Sequence, residues 1–114
     1  MSDCLFCKIA QRQIPAAIVA ETDRVMAFND INPQAPVHLL VIPKAHVPKV
    51  SDLSGHTLPI MADLVATANQ LAAQHGLADD GYRLVINCGP QAGQTVWHLH
   101  LHLLGGRPMR WPPG

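Results

Sequence analysis

Three histidines, His98, His100 and His102, stand at alternate positions within Trp97–Leu104, which reads W-H-L-H-L-H-L-L. Neutral imidazole can ligate a metal, attack as a nucleophile or move a proton near neutral pH. Leu99, Leu101 and Leu103 separate the histidines. A strand sends successive side chains to opposite faces. A helix would scatter the same residues over about 400°, at about 100° per residue. The alternation therefore predicts a strand over Trp97–Leu104, with imidazoles on one face and the leucines with Trp97 on the other. Burying three imidazoles for structure alone would require several hydrogen-bond partners. Two readings remain, a metal site or catalysis by one imidazole that its neighbours orient and supply with protons. No Asp or Glu follows Asp80, so chemistry on this strand must draw on histidine and backbone groups.

The loop that enters the strand, Cys88–Gly93 with Gln94 and Thr95, carries Gly89 and Gly93. Glycines allow backbone N–H groups to approach an anion closely. An amide and a hydroxyl follow, and the chain has no phosphate-binding lysine motif. An uncharged cradle of donors beside imidazoles suits the phosphate of a small nucleotide. Asp30, between Phe28 and Ile31, can accept ribose hydroxyls while apolar neighbours flank a base, or it can simply initiate a turn. Cys4 and Cys7 form a C-x-x-C, which is a redox pair, half of a zinc site or a chance spacing. With Cys88 the cysteine count is three, which argues against a disulfide framework.

The elements that must position these residues fit one domain. The chain has 114 residues, a formal net charge of zero and 14% charged residues, so nothing implies a charge-driven grip on nucleic acid or membrane. No apolar run approaches the roughly 20 residues that span a bilayer. The N-terminus lacks a charged-then-apolar signal pattern, and a cytoplasmic protein is expected. Residues 4–12 read as a short helix ended by Pro15. Residues 16–21 and 24–29 read as a hairpin turning at Thr22-Asp23, 37–42 as an apolar strand closed by Pro43, and 82–87 as a further strand. Leu58, Met61, Leu64, Val65, Ala68, Leu71 and Ala72 recur at helical spacing and predict one long core-packed helix over about 57–75, with Gly76 at its C′ position. About five strands without βαβ alternation predict an α+β fold with a mainly antiparallel sheet.

Several separated stretches carry a resemblance, in order: C-L-F-C-K-I, F-N-D-I-N-P-Q-A-P-V-H, L-V-I-P-K-A-H, D-G-Y-R-L-V-I-N, H-L-H-L-H-L-L and G-G-R-P-M-R-W-P-P-G. Together they resemble the histidine-triad (HIT) superfamily, in its Hint branch of nucleoside phosphoramidate hydrolases. The W-P-P-G tail is typical of that branch. The resemblance covers the chain almost end to end and implies a single HIT domain over residues 1–114.

The resemblance further implies a five-stranded sheet with one long and one short helix, joined to a partner's as ten strands across a homodimer. The tail, 105–114, would lie at the interface, Trp111 would reach the partner's site, and residues from Leu58 along the helix would help to form the contact. His100 would attack the α-phosphorus of a purine nucleoside 5′-phosphoramidate. A nucleotidyl-histidine would form, and water would release the monophosphate. His102 would contact the phosphate and help to protonate the leaving group, while His38 and His98 would complete the network and fix the His100 tautomer. Asn87, Gly93, Gln94 and Thr95 would hold the phosphate, with Thr95 where the family usually has serine. Leu5, Phe6, Ile9, Phe28, Asn29 and Ile31 would line the nucleoside pocket, and Asp30 would hold the ribose. Asn29 stands where relatives often carry histidine or arginine. Some relatives bind zinc near the N-terminus, and the matching set here is Cys4, Cys7, His46 and His98. Such a site would be structural, and catalysis would need no cofactor. Alternatives are a dinucleoside polyphosphate hydrolase or nucleotidyltransferase, and a non-catalytic nucleotide-binding module.

Overall fold

A computed structural model describes residues 3–114. It shows one five-stranded sheet in the order β1-β2-β3-β5-β4, with every pairing antiparallel. The strands are β1 (Ile18–Glu21), β2 (Val25–Asn29), β3 (Val37–Pro43), β4 (Tyr82–Val85) and β5 (Leu101–Gly105), and the helices are α1 (Leu5–Ala10) and α2 (Pro59–Gln74). This is the expected α+β architecture. No helix among the described residues is long and apolar enough to cross a membrane.

Strand periodicity sorts the core into two layers. Val25, Ala27, Leu39, Val41, Leu101 and Leu103 face α2 and pack on its Leu64, Ala68, Leu71 and Ala72. Met26, Phe28, Leu40 and Ile42 face the other way and pack on Phe6 and Ile9 of α1. The central strand β3 is thus buried on both faces, which is why it reads as an apolar run. Its one histidine, His38, lies on the α1 side.

α2 ends as predicted at Gly76, whose φ of +72° suits glycine. Leu77 N–H bonds Ala72 O at 2.9 Å and Gly76 N–H bonds Ala73 O at 3.1 Å, a Schellman closure. The predicted stripe is only partly core, because Leu58 is 55% and Val65 37% exposed. α1 ends at Ala10, well before Pro15. Arg12, at φ +59°, turns the chain there, so proline is not the stop. The first hairpin turns at Asp23-Arg24 rather than Thr22-Asp23. Thr22 N–H bonds Val25 O at 2.8 Å, and the Thr22 hydroxyl accepts from the N–H groups of Arg24 and Val25.

The histidine strand is shorter than its sequence pattern. The β3–β5 ladder runs only to Val41 opposite Leu101. Two residues further along β3 stands Pro43, which has no N–H to continue it. The segment before Leu101 instead donates Leu99 N–H to Val47 O at 2.6 Å. Leu99 still faces the core. Trp97 does not join it and stays 45% exposed.

Candidate active site and metal centre

His100 and His102 open onto a cavity of about 580 Å³ between α1, β2 and the loop before β5. Of the residues singled out in the sequence, Leu5, Phe6, Ile9, Phe28, Asn29, Asp30, Ile31, Thr95, His100 and His102 all line it. One wall is apolar and the histidines lie together at the other end, which is the layout of a small-molecule site. Ile14, Pro15, Ala16, Ala17, Leu40 and Val96 also line the cavity and were not singled out. A signal existed for Leu40, two residues beyond His38 on the same strand face. The segment 14–17 has none, because nothing local shows that it wraps back over the site.

The hydrogen-bond partners fix which ring nitrogen carries each proton. The Gln34 backbone N–H can only donate, and it donates to His38 Nδ1 at 3.0 Å. In neutral His38 the proton is therefore on Nε2. That nitrogen lies 2.9 Å from His102 Nδ1, with an Asp30 carboxylate oxygen at 3.4 Å. His102 Nδ1 accepts, so its proton is on Nε2. His102 Nε2 is buried and has no hydrogen-bond partner among the described residues, while the ring itself lines the cavity. A donor held without a partner at a cavity wall is a ready contact for an anionic oxygen.

His100 is set the other way. Its Nδ1 donates to the backbone oxygen of His98 at 2.7 Å, which leaves Nε2 with the lone pair. Phe6 packs its ring edge-on against His100, with centroids 5.1 Å apart. The site thus pairs a lone pair on His100 with a hydrogen-bond donor on His102, the rings being 5.0 Å apart. Burial pushes the His102 imidazole down to about 4, with the neighbouring His100 and His38 acting in the same direction and Asp30 opposing. Burial likewise lowers His38, again opposed by Asp30. Both rings are held neutral, as this arrangement of one donor and one acceptor each requires.

His98 plays a different part from the one its alternation suggests. Its ring is fully buried and turns away from the cavity. Nε2 donates to Pro43 O at 2.7 Å, so the Nδ1 lone pair points elsewhere, at Cys4 Sγ (3.3 Å), Cys7 Sγ (3.5 Å) and His46 Nδ1 (3.3 Å). Cys7 Sγ and His46 Nδ1 are 3.2 Å apart, and all four ligand atoms lie within 4.8 Å of one another. Zn–S bonds of about 2.3 Å and Zn–N bonds of about 2.0–2.1 Å put tetrahedral neighbours roughly 3.3–3.8 Å apart. The four separations from 3.2 to 3.5 Å are those of tetrahedral neighbours. The Pro43 carbonyl supplies the outer contact that typically fixes a metal-bound histidine. The residues fit a closed Cys2His2 zinc site, with His46 on its exposed side. His98 joins the two centres: its ring belongs to the cysteine cluster and its carbonyl orients His100.

Three predicted phosphate contacts, Gln94, Asn87 and Gly93, are placed elsewhere. Gln94 is buried, and its amide is committed within the protein. It donates to Pro48 O (2.8 Å) and Val96 O (3.0 Å) and accepts from Gly89 N–H (2.9 Å). It clamps the loop and has no donor left for a phosphate. Asn87 and Gly93 do not line the cavity. Trp111 is 83% exposed on a tail tied back by Arg83 Nη2 to Arg110 O at 2.8 Å. Asp30 initiates a turn, one carboxylate oxygen accepting Asn32 N–H at 2.8 Å, and it also lines the cavity.

Comparison with known proteins agrees with this geometry. A family model described as the HIT domain matches residues 11–109. The chain is 46% identical to the purine nucleoside phosphoramidase of Escherichia coli over 94% of this chain and 90% of that one. It is 48% identical to the adenylylsulfatase HINT1 of Arabidopsis thaliana, over 99% and 78%. A crystal structure of a HIT family hydrolase from Legionella pneumophila superposes with a TM-score of 0.96 at 52% identity, covering 98% of this chain and all of that one.

Proposed function

The chain belongs to the HIT domain family, and we propose that it is a purine nucleoside phosphoramidate hydrolase with His100 as its nucleophile. The observation that carries this reading is the opposed pair of tautomers, a lone pair on His100 Nε2 beside an N–H on His102 Nε2 at the end of one cavity. In the proposed reaction the apolar wall takes the base and Asp30 the ribose. His100 Nε2 attacks the α-phosphorus, an Nε2–P bond forms, and the P–N bond to the amine breaks. The His98 carbonyl, on the far side of the ring, stabilises the positive charge that develops on the imidazole. His102 Nε2–H bonds a non-bridging phosphate oxygen as charge builds there. Water then attacks the phosphorus and loses a proton to solvent, the Nε2–P bond breaks with its electron pair returning to His100 Nε2, and the monophosphate leaves.

One implied role is narrowed. The chain of donors behind His102 begins at a backbone amide, which cannot give up its proton. His102 is therefore proposed as an electrostatic contact, and the departing amine takes its proton from solvent at the cavity mouth. Splitting the displacement into two steps through a covalent intermediate is the gain that a neutral imidazole nucleophile offers.

Zinc is proposed at Cys4, Cys7, His46 and His98 as a structural ion, which when bound supplies cross-linking of α1 to the loops before α2 and β5. A homodimer is proposed too, with Leu58 at the N-cap of α2 and Val65 within it, which share a helix face at a spacing of seven residues, and Trp111 in the contact. No site for nucleic acid or membrane is proposed, and a cytoplasmic setting fits the reaction.

The test is AMP release from adenosine 5′-phosphoramidate, with adenylyl sulfate as a second leaving group. The parent turns over, and His100→Ala and His100→Gly lose several orders of magnitude. Binding of AMP without turnover of either compound would instead identify a nucleotide-binding module.

A further inference from the structure

We propose that Arg107 is a positioning residue: from the tail that follows β5, it holds the backbone at Gln34 so that His38, and through it His102, keep the tautomer that leaves an N–H on Nε2 of the His102 ring at the active-site cavity. Arg107 Nε donates to Gln34 O at 3.0 Å, and the next link is Gln34 N–H on His38 Nδ1. The loop 30–36 has few donors of its own, because Pro33 and Pro36 have no N–H. Its ties are Asp30 N–H to His38 O at 3.0 Å, Asn32 N–H to Asp30, the Gln34 side-chain amide to Asn32 O at 3.0 Å, and the Gln34 bond to His38. None of these holds the carbonyl of Gln34, and Arg107 does. Gly106 brings the tail onto the loop at a φ of +90°, where a Cβ would meet Pro36 at 2.9 Å. The close approach requires glycine.

The consequence for His102 follows from proton counting. If Gln34 swings away, His38 Nδ1 loses the donor that kept it unprotonated. His38 can then carry its proton on Nδ1 and turn a bare Nε2 toward His102 Nδ1. His102 would answer by moving its own proton to Nδ1, leaving a lone pair on Nε2 facing a phosphate oxygen, a repulsive contact in place of a hydrogen bond. Asp30, 3.4 Å from His38 Nε2, favours the original tautomer and limits the change to a shift in population. Arg107 is exposed and contributes nothing to either core layer, so its loss leaves the fold in place.

The test compares the parent with Arg107→Met, which keeps the stem without the donor, and Arg107→Lys, which keeps one. Long-range proton–nitrogen correlation spectra of the histidine rings report the tautomers directly, whatever substrate the protein turns over. The parent is expected to show Nε2–H at both His38 and His102. Arg107→Met is expected to show averaged shifts at both rings, and Arg107→Lys a return toward the parent. The kinetic part rests on the proposed function: kcat for adenosine 5′-phosphoramidate falls up to about tenfold in Arg107→Met with KM little changed, the effect of weakening one transition-state donor. Gln34→Pro, which removes the N–H itself, sets the full size of the tautomer change. Unaltered His38 and His102 shifts in Arg107→Met overturn the proposal even if activity falls. Altered shifts without turnover in the parent leave it standing and remove the proposed function instead.

Discussion

His38 Nε2 lies 2.9 Å from His102 Nδ1. The two residues are diagonal neighbours across the β3–β5 ladder, since His38 faces Leu104 and His102 faces Leu40. Diagonal neighbours on one sheet face are within reach of long and aromatic side chains. The sheet register alone therefore brings together two histidines 64 positions apart. Removing the His38 side chain leaves His102 Nδ1 without its donor. His38→Ala is expected to lower kcat roughly 10- to 100-fold, less than the roughly 100- to 1,000-fold that follows loss of a transition-state donor itself. His38→Gln can accept at its oxygen and donate from its amide, and it is expected to recover part of the loss. Steady-state kinetics on the two variants decide it; equal losses would mean that the hydrogen bond does not matter.

The depressed basicity of His102 and His38 makes stability depend on pH with a definite sign. Both imidazoles bind a proton less readily in the fold than in the unfolded chain, so acid favours unfolding. For His102 the loss begins as pH falls through its ordinary value of 6.5 and is complete once pH falls through about 4. Its contribution is at most about 3 kcal/mol, and roughly 1–2 kcal/mol of it should disappear between pH 7 and pH 5. Urea unfolding at the two pH values measures this. His102→Gln should flatten the dependence, and an unchanged slope would assign it to other groups.

Much of the fold was legible in the sequence because the periods are clean. The two-residue alternation of β5 and the helical spacing of α2 each have one physical cause, burial of a face, and the apolar run of β3 reflects burial of both its faces. What misled was local pattern without its partner. W-H-L-H-L-H-L-L alternates throughout, yet the strand begins only at Leu101, because the opposing chain reaches Pro43. Leu58 and Val65 keep helical spacing without being buried in this chain. The site was legible where side chains such as Phe6, Asp30 and His100 line the cavity, and it misled at Gln94, whose amide turns into the protein. It was hidden wherever the backbone acts: the Gln34 N–H, the His98 carbonyl and the Pro43 carbonyl set three histidine tautomers, and no residue type announces them.

Gln94 separates a sequence reading from a structural one. As a phosphate contact, its loss would raise KM and spare stability. As a buried clamp, its loss leaves Pro48 O, Val96 O and Gly89 N–H without their partner. Gln94→Ala is expected to destabilise the protein by about 2 kcal/mol or more, since each buried polar group without a partner costs about 1–3 kcal/mol. At temperatures where the variant stays folded, KM should change little. Thermal unfolding alongside steady-state kinetics distinguishes the two readings.

The metal centre can be tested through the same residue that joins it to the active site. If Cys4, Cys7, His46 and His98 hold zinc, protein purified without chelator should contain one zinc per chain by elemental analysis. Removing the ion should lower the melting temperature, because metal binding to the native state alone adds directly to its stability. Cys7→Ser should lose the ion and melt earlier in the same way. The ion takes no part in the proposed displacement, so activity should survive its removal. Yet the His98 ring is anchored in the cluster while its carbonyl holds His100 Nδ1 at 2.7 Å. A looser ring frees that carbonyl, and a fall of a few-fold in kcat without a change in KM is the expected trace. Metal-free protein that neither binds added zinc nor gains melting temperature from it would show that the four ligands serve each other as a hydrogen-bonded cluster and nothing more.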